Sequence, residues 1–224
     1  MAETALVIMA RYPQLGTTKT RLAHAIGPEE AIRLYQAFLI DLAHKFAGRE
    51  YDLHWAYTPA EVDYQAFIAT LAPSLAECMC SFPQQGADLG ARLHYVFQWT
   101  RKRGFRRTIV IGSDSPHIRL ETVARAERAL DEADIVLGPA DDGGYYLIAM
   151  RQPYDVFSGI PMSTSMVTHM TMEMAQRQGL NVQLIEPLFD VDELPDLLRL
   201  VQVLRADRTL APATSAHLTA ISAI

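Results

Sequence analysis

Thr108-Ile109-Val110-Ile111-Gly112-Ser113-Asp114-Ser115-Pro116 is the stretch from which the fold is read. A short uncharged run rich in branched residues predicts a buried strand. It empties into a turn that carries an acid and is stiffened by proline. The pattern then returns. Ile118 to Ala133 has helical spacing, Asp134-Ile135-Val136-Leu137 reads as another buried strand, and Gly138-Pro139-Ala140-Asp141-Asp142-Gly143-Gly144 as a second acidic turn. Tyr145 to Met150 follows as a third strand. In open α/β sheets, ligands bind outside the carboxyl ends of the strands. Both turns place carboxylates there.

Outward from this stretch the alternation continues. Ala5-Leu6-Val7-Ile8-Met9-Ala10 is a short apolar run that predicts a buried strand. A helix is expected from Gly27-Pro28 to Gly48, with Pro28 at a favourable first-turn position and glutamates near the positive helix end. Leu53, Trp55 and Tyr57 alternate with Asp52, His54 and Ala56 as a strand. Glu61 to Leu71 reads as a helix, Glu77 to Phe82 as a strand, and Leu93, Val96, Phe97 and Thr100 lie on one face of a helix closed by Gly104. Ser163 or Ser165 is placed to cap a helix ending at Gly179, Val182 to Ile185 predicts a strand, and Pro195 starts a last helix reaching about Leu204. From Ala206 onward the chain is weakly patterned, and a loosely docked end is expected. Strands alternating with helices imply a three-layer α/β/α fold with a mainly parallel sheet. A single domain covering 1–224 is the economical reading.

The 224 residues are 50% hydrophobic and 21% charged, an ordinary globular balance, and the net charge of −6 argues against a general nucleic-acid binder. Cys78 and Cys80 are too few for a structural zinc site and are expected as reduced thiols on one face of a strand. Ala5 to Ala10 is too short for a signal-peptide core, and no apolar run approaches the ~20 residues that cross a bilayer. A soluble, cytoplasmic protein without membrane insertion is expected. Nothing in the sequence speaks to oligomeric state.

The loop after the first strand is basic: Arg11-Tyr12-Pro13-Gln14-Leu15-Gly16-Thr17-Thr18-Lys19-Thr20-Arg21-Leu22. Arg11, Lys19 and Arg21 around Gly16 suit a polyphosphate, with backbone approaching at the glycine and cations neutralising oxygens. It is not a P-loop, which needs glycine directly before the lysine, where Thr18 stands. A dinucleotide fingerprint is missing as well. The plain alternative is a loop of solvated charges.

Asp114 is the best single metal ligand, because Mg2+ takes a few carboxylates together with phosphate oxygens; the alternative is a helix cap. Asp190-Val191-Asp192 would aim both carboxylates the same way on an extended segment, or cap the helix ahead of Pro195. Asp141 and Asp142 beside Gly143 and Gly144 could bind a ligand or simply form a turn. Arg92, after Asp88-Leu89-Gly90, could add an anion contact, and His117 could reach the same pocket. Ser113 and Ser115 lack a nucleophile elbow, and the methionines from Met162 to Met174 suit core packing.

Taken in order, Lys19-Thr20-Arg21-Leu22, Asp88-Leu89-Gly90 with Arg92, Gly112-Ser113-Asp114-x-Pro116, Gly138 to Tyr146 and Asp190-Val191-Asp192 resemble a bacterial glycosyltransferase-like family of the GT-A, nucleotide-diphosphosugar-transferase fold. Relatives of that family include the molybdenum-cofactor and 2-phospho-L-lactate guanylyltransferases. The resemblance implies a nucleotide over the first strands and Mg2+ or Mn2+ at Asp114, Asp190 and Asp192. The chain departs from the family at Leu15, Thr17 and Met162, and Ser115-Pro116 replaces the usual second acid after Asp114.

Three functions follow as expectations. One is a metal-dependent glycosyltransferase using a nucleotide sugar and a small-molecule acceptor, with Asp141 or Asp142 as base and Gly143 and Gly144 in the substrate loop. The second is a nucleotidyltransferase acting on a nucleoside triphosphate and a phosphorylated acceptor. The third is a nucleotide-binding protein without turnover.

Overall fold

The computed structural model describes residues 3–162 and 164–221. The chain runs β1 (Thr4–Arg11), α1 (Thr20–Ile26), α2 (Pro28–Phe46), β2 (Asp52–Thr58), α3 (Tyr64–Leu71), β3 (Met79–Pro83), α4 (Leu89–Lys102) and β4 (Arg107–Gly112). It continues with α5 (Leu120–Ala129), β5 (Ile135–Pro139), β6 (Tyr145–Met150), α6 (Val167–Arg177), β7 (Val182–Leu184), α7 (Leu194–Ala206) and α8 (Pro212–Ala220). The strands form one seven-stranded sheet in the order β3-β2-β1-β4-β6-β5-β7. Only β6 among them runs antiparallel to its neighbours, so the expected mainly parallel, three-layer α/β fold is present.

The central strands are covered on both faces, which is why they read as apolar runs rather than alternating ones. Along β1, Leu6 and Ile8 join the core beneath α2, α5 and α7, whereas Ala5 and Val7 join the core beneath α4 and α6. The same division runs through β4, where Ile109 and Ile111 face the first core and Val110 the second. Packing on both sides fixes the carboxyl ends of β1 and β4 side by side, with Met9 opposite Gly112. The basic loop and the first acidic turn leave the sheet from these neighbouring ends.

Several boundaries differ from the sequence reading. α3 starts at Tyr64 rather than Glu61, because the Asp63 side chain accepts from Ala66 N at 2.9 Å and sets the start. The helix expected over 118–133 shortens to Leu120–Ala129. Cys78 closes a 3-10 turn (Pro73–Cys78) while Cys80 lies on β3, so the two thiols do not share one strand, and both are free and exposed. Ser163 lies outside the described residues. Ser165 does not cap α6, which begins at Val167 after Met166. A further helix, α1, takes up the end of the basic loop.

The largest correction is the tail. Instead of a loose end, residues after 206 form a 3-10 turn (Arg208–Leu210) and α8, which packs on α2. Asp41 of α2 accepts hydrogen bonds from Ala213 N at 2.7 Å, Thr214 N at 2.8 Å and the Thr214 hydroxyl at 2.6 Å. Ala211, Thr214 and Leu218 are fully buried. The helix takes its N-terminal partner from a distant element, which local pattern does not reveal. Among the described residues, no helix is long and apolar enough to cross a membrane.

Candidate functional site

The loop after β1 is shaped by Thr18, whose hydroxyl accepts from Gln14 N and donates to Tyr12 O, each at 3.1 Å. Lys19 follows in the left-handed region with φ 50°, immediately before α1. This conformation costs a non-glycine residue of the order of 1–2 kcal/mol and is kept where surroundings enforce it. Here it turns the side chain inward to only 5% exposure. Lys19 Nζ lies 2.5 Å from Asp114 Oδ1 and 2.9 Å from Asp192 Oδ1, and donates to Val191 O at 2.8 Å. Burial alone would lower the ammonium pKa, but the two carboxylates outweigh it and hold it above the ordinary lysine range.

Asp114 stands just past β4. Its turn is braced from below by Lys45 of α2, which donates to Pro116 O at 2.7 Å, Ile118 O at 2.6 Å and Leu210 O at 2.7 Å. Tyr35, also on α2, shares a 2.8 Å hydrogen bond with Ser113 Oγ and accepts from Arg11 N at 3.1 Å. Burial, and next the Asp114 charge, push the Tyr35 phenol up to about 12. The third acidic segment arrives from beyond β7 and is stitched to the turn by Val191 N donating to Asp114 O at 3.0 Å. Asp196, in the first turn of α7, accepts from Asp192 N and Glu193 N, and the helix N-cap is Glu193 rather than Asp190 or Asp192.

The pair at 190 and 192 divides its work. Asp192 meets Lys19 through Oδ1 and Arg21 through Oδ2, the latter at 2.6 Å. Burial opposes its charge, but Lys19 and Arg21 prevail and lower its pKa. Asp190 is half-buried beside it and accepts from Ser115 Oγ at 2.5 Å; desolvation and then the Asp114 charge push it up to about 7. All three carboxylates, with Arg11, Lys19, Arg21 and Arg92, line one cavity of about 460 Å³ at the strand ends. The cavity continues over an apolar floor that includes Met9, Leu93 and Tyr145.

Other expected residues lie elsewhere. Asp141 forms an ion pair with Arg199, and Asp142 Oδ1 accepts from Gly144 N at 2.9 Å as a turn former. Neither lines the cavity, and nor do Gly143, Gly144 or Gly16. Gly143 is required by packing: its φ is +89°, and a Cβ there would meet the Ser165 carbonyl oxygen at 2.0 Å. The Gly144 carbonyl accepts from the Thr168 hydroxyl at 2.6 Å, fixing the turn to α6. His117 is buried against Phe189, ring centroids 4.2 Å apart, and stays outside the cavity. Lys19 is not a free phosphate-binding cation, since its three donors already have partners.

Sequence reading missed Tyr35, Ser115 and Gln84. Tyr35 sits on the apolar stripe of α2, where its spacing is that of a core residue. Gln84 follows β3, lines the cavity and donates through Nε2 to Ala56 O at 2.8 Å and Ala10 O at 3.4 Å. Its signal was a lone polar residue after a strand end, which is too common to single out.

The donor set can be tested against a hard divalent ion. Among the described residues, no three His, Cys, Asp or Glu side chains form a ready-made metal cage. The Lys19 ammonium, a cation, stands between Asp114 and Asp192, so that locus accepts positive charge. Two carboxylates facing a cavity, with phosphate and water completing the shell, fit Mg2+ or Mn2+. Asp190 lines the same cavity but spends Oδ1 on Ser115.

Comparison with known proteins accords with this frame. A crystal structure of a "putative nucleotide-diphospho-sugar transferase" from Desulfovibrio desulfuricans G20 is 35% identical, with a TM-score of 0.90 over 100% of this chain and 96% of that one. The fold is shared with 4-diphosphocytidyl-2C-methyl-D-erythritol synthase of Anaerococcus prevotii DSM 20548, at 8% identity, TM-score 0.57 and coverage of 90% and 96%. It is shared too with the inositol-1-phosphate CTP transferase of T. maritima, at 12% identity, TM-score 0.54 and coverage of 97% and 96%. Among curated proteins there is no significant match. Residues 45–164 match the model of the DUF2064 family, described as uncharacterized protein conserved in bacteria. With its nucleotide-diphosphosugar-transferase fold, the chain belongs to this DUF2064 family.

Proposed function

We propose that this chain is a metal-dependent glycosyltransferase that takes a nucleotide-sugar donor and passes the sugar to a small-molecule acceptor. The observation carrying this reading is the meeting of Arg11, Arg21 and Arg92 with Asp114 and Asp192 around one cavity at the carboxyl ends of β1 and β4. A nucleoside diphosphate leaving from a sugar gains negative charge as the glycosidic bond breaks. Arg11 and Arg21 are placed to stabilise that charge, and Arg92 to hold an anionic group at the far rim. Asp114 and Asp192 would hold Mg2+ or Mn2+ together with diphosphate oxygens. The ion would neutralise the leaving group and orient it. The apolar floor suits the less polar parts of donor and acceptor. The name borne by the 35%-identical relative agrees with this reading.

A second reading, nucleotidyl transfer, is favoured by Ser115-Pro116 standing where a glycosyltransferase of this fold would carry its second acid. Of the more distant structures of the fold, one is named a diphosphocytidyl-methylerythritol synthase and another a CTP transferase. The same arginines would then stabilise a pyrophosphate leaving group.

The test is product identity. The purified protein is incubated with Mg2+ and either a panel of nucleotide sugars or the four nucleoside triphosphates. Nucleoside diphosphate released from a sugar nucleotide supports the first reading, and pyrophosphate released from a triphosphate supports the second. Binding without either product, unchanged in Asp114→Ala, would establish a non-catalytic nucleotide binder instead.

A further inference from the structure

Lys19 presents an unusual distribution of charge. Its ammonium is nearly excluded from solvent and spends all three donors on Asp114, Asp192 and the Val191 carbonyl. The two carboxylates are those best placed to hold a divalent ion, and they remain 40% and 34% exposed toward the cavity. An ion bound at about 2.0–2.1 Å from oxygens of both would lie within a few ångströms of Nζ. At that separation a unit and a double positive charge repel strongly in a partly desolvated site. The two cations therefore compete for the pair.

We infer that Lys19 is a resident counter-cation that competes with the divalent ion for Asp114 and Asp192, and that loading the ion moves the Lys19 ammonium onto the substrate's phosphate oxygens. The inference rests on the proposed phosphate-handling role of this cavity. Three observations carry it. Lys19 and Arg21 together offset the charges of Asp114 and Asp192, so these two acids are charge-balanced without metal. The ammonium would lose two of its three acceptors when an ion displaces it, and phosphate oxygens are the acceptors that arrive with the ion. The side chain hangs from the residue just before α1, at the end of a loop held by Thr18, so it can re-aim without moving a strand. Metal and pyrophosphate should therefore bind with positive cooperativity, because each supplies what the other displaces.

The test uses Mn2+ as the ion and inorganic pyrophosphate as the anion, so that no base or sugar is needed. Free Mn2+ is followed by electron paramagnetic resonance during titration of wild-type protein, Lys19→Met and Lys19→Gln, with folding checked by circular dichroism. The expected result is that Lys19→Met binds Mn2+ alone at least about tenfold more tightly than wild type. Pyrophosphate should tighten Mn2+ binding in wild type and do so much less in the variant. Lys19→Gln, which keeps a donor for Val191 O, should behave as Lys19→Met and provides the measurement if the methionine variant does not fold. Equal or weaker Mn2+ binding in the variants, or no Mn2+ binding by any of the three proteins, would overturn the exchange. Failure of wild type to respond to pyrophosphate, with tighter Mn2+ binding in the variants, would instead count against the phosphate-handling reading and leave the competition standing.

Discussion

Lys19 Nζ and Asp114 Oδ1 are 2.5 Å apart, joining the loop after β1 to the turn after β4 at the mouth of the cavity. Asp114 is therefore both a charge that keeps Lys19 in place and a part-exposed carboxylate lining the cavity. Asp114→Asn keeps shape and removes charge. It should lower kcat by about 10²–10³-fold if the carboxylate organises transition-state charge. Steady-state kinetics on whichever donor is turned over, with folding checked by circular dichroism, measures this. Asp141→Ala is the matched control. It removes an ion pair with Arg199 whose partners are both about half exposed, and should change kcat by less than about twofold and stability by less than about 1 kcal/mol. A large loss in Asp141→Ala would restore that residue to the chemistry.

Gly143 should tolerate no side chain. Alanine there combines a left-handed backbone with a Cβ driven into the Ser165 carbonyl, backbone atoms that cannot swing aside. The expected destabilisation is about 3 kcal/mol or more, read as a lowered urea midpoint. A fully stable Gly143→Ala would show that the turn opens more freely than its packing implies.

His117 supplies a pH dependence of stability. Burial first, then the charges of Lys45, Arg199 and Arg119, push its pKa down to about 4, and neither ring nitrogen has a hydrogen-bond partner among the described residues. The unfolded chain takes up a proton near the ordinary histidine value of 6.5, while the folded chain waits until about 4. Between these values the unfolded state binds more protons, so stability falls as pH is lowered through that window. His117→Phe, which preserves the ring against Phe189, should flatten the slope between pH 6.5 and 4. Urea denaturation at pH 7, 6 and 5 tests it, and an unchanged slope would remove His117 from the account.

Asp41 ties α8 to α2. Asp41→Ala strips the Ala213 and Thr214 donors of their acceptor, and a cost of about 2–3 kcal/mol is expected, above that of an ordinary exposed cap because three donors are lost and Thr214 is fully buried. Limited proteolysis should cut the variant after residue 206 faster than wild type. Equal protection would mean that Leu218 and its neighbours hold the helix without the cap.

The alternation of short apolar runs with helical spacing was enough to specify a layered α/β fold, because strand and helix periods are local properties of the chain. The turn-rich segments after β1 and β4 and the Asp190-Val191-Asp192 segment were legible as candidate site loops for the same reason: charges stop apolar runs. What each charge does was not legible. Asp141 and Asp192 look alike in sequence, yet one is spent on Arg199 and the other faces Lys19 and Arg21. Lys19 reads as a phosphate ligand until its carboxylate partners are seen, and the tail reads as loose until Asp41 is found beneath it. Those assignments depend on which distant segments the folded sheet brings within 3 Å of one another. Sequence alone settled where chemistry could sit, and tertiary closure decided which charges were already neutralised, because pairing energy depends on distance and burial rather than on residue type.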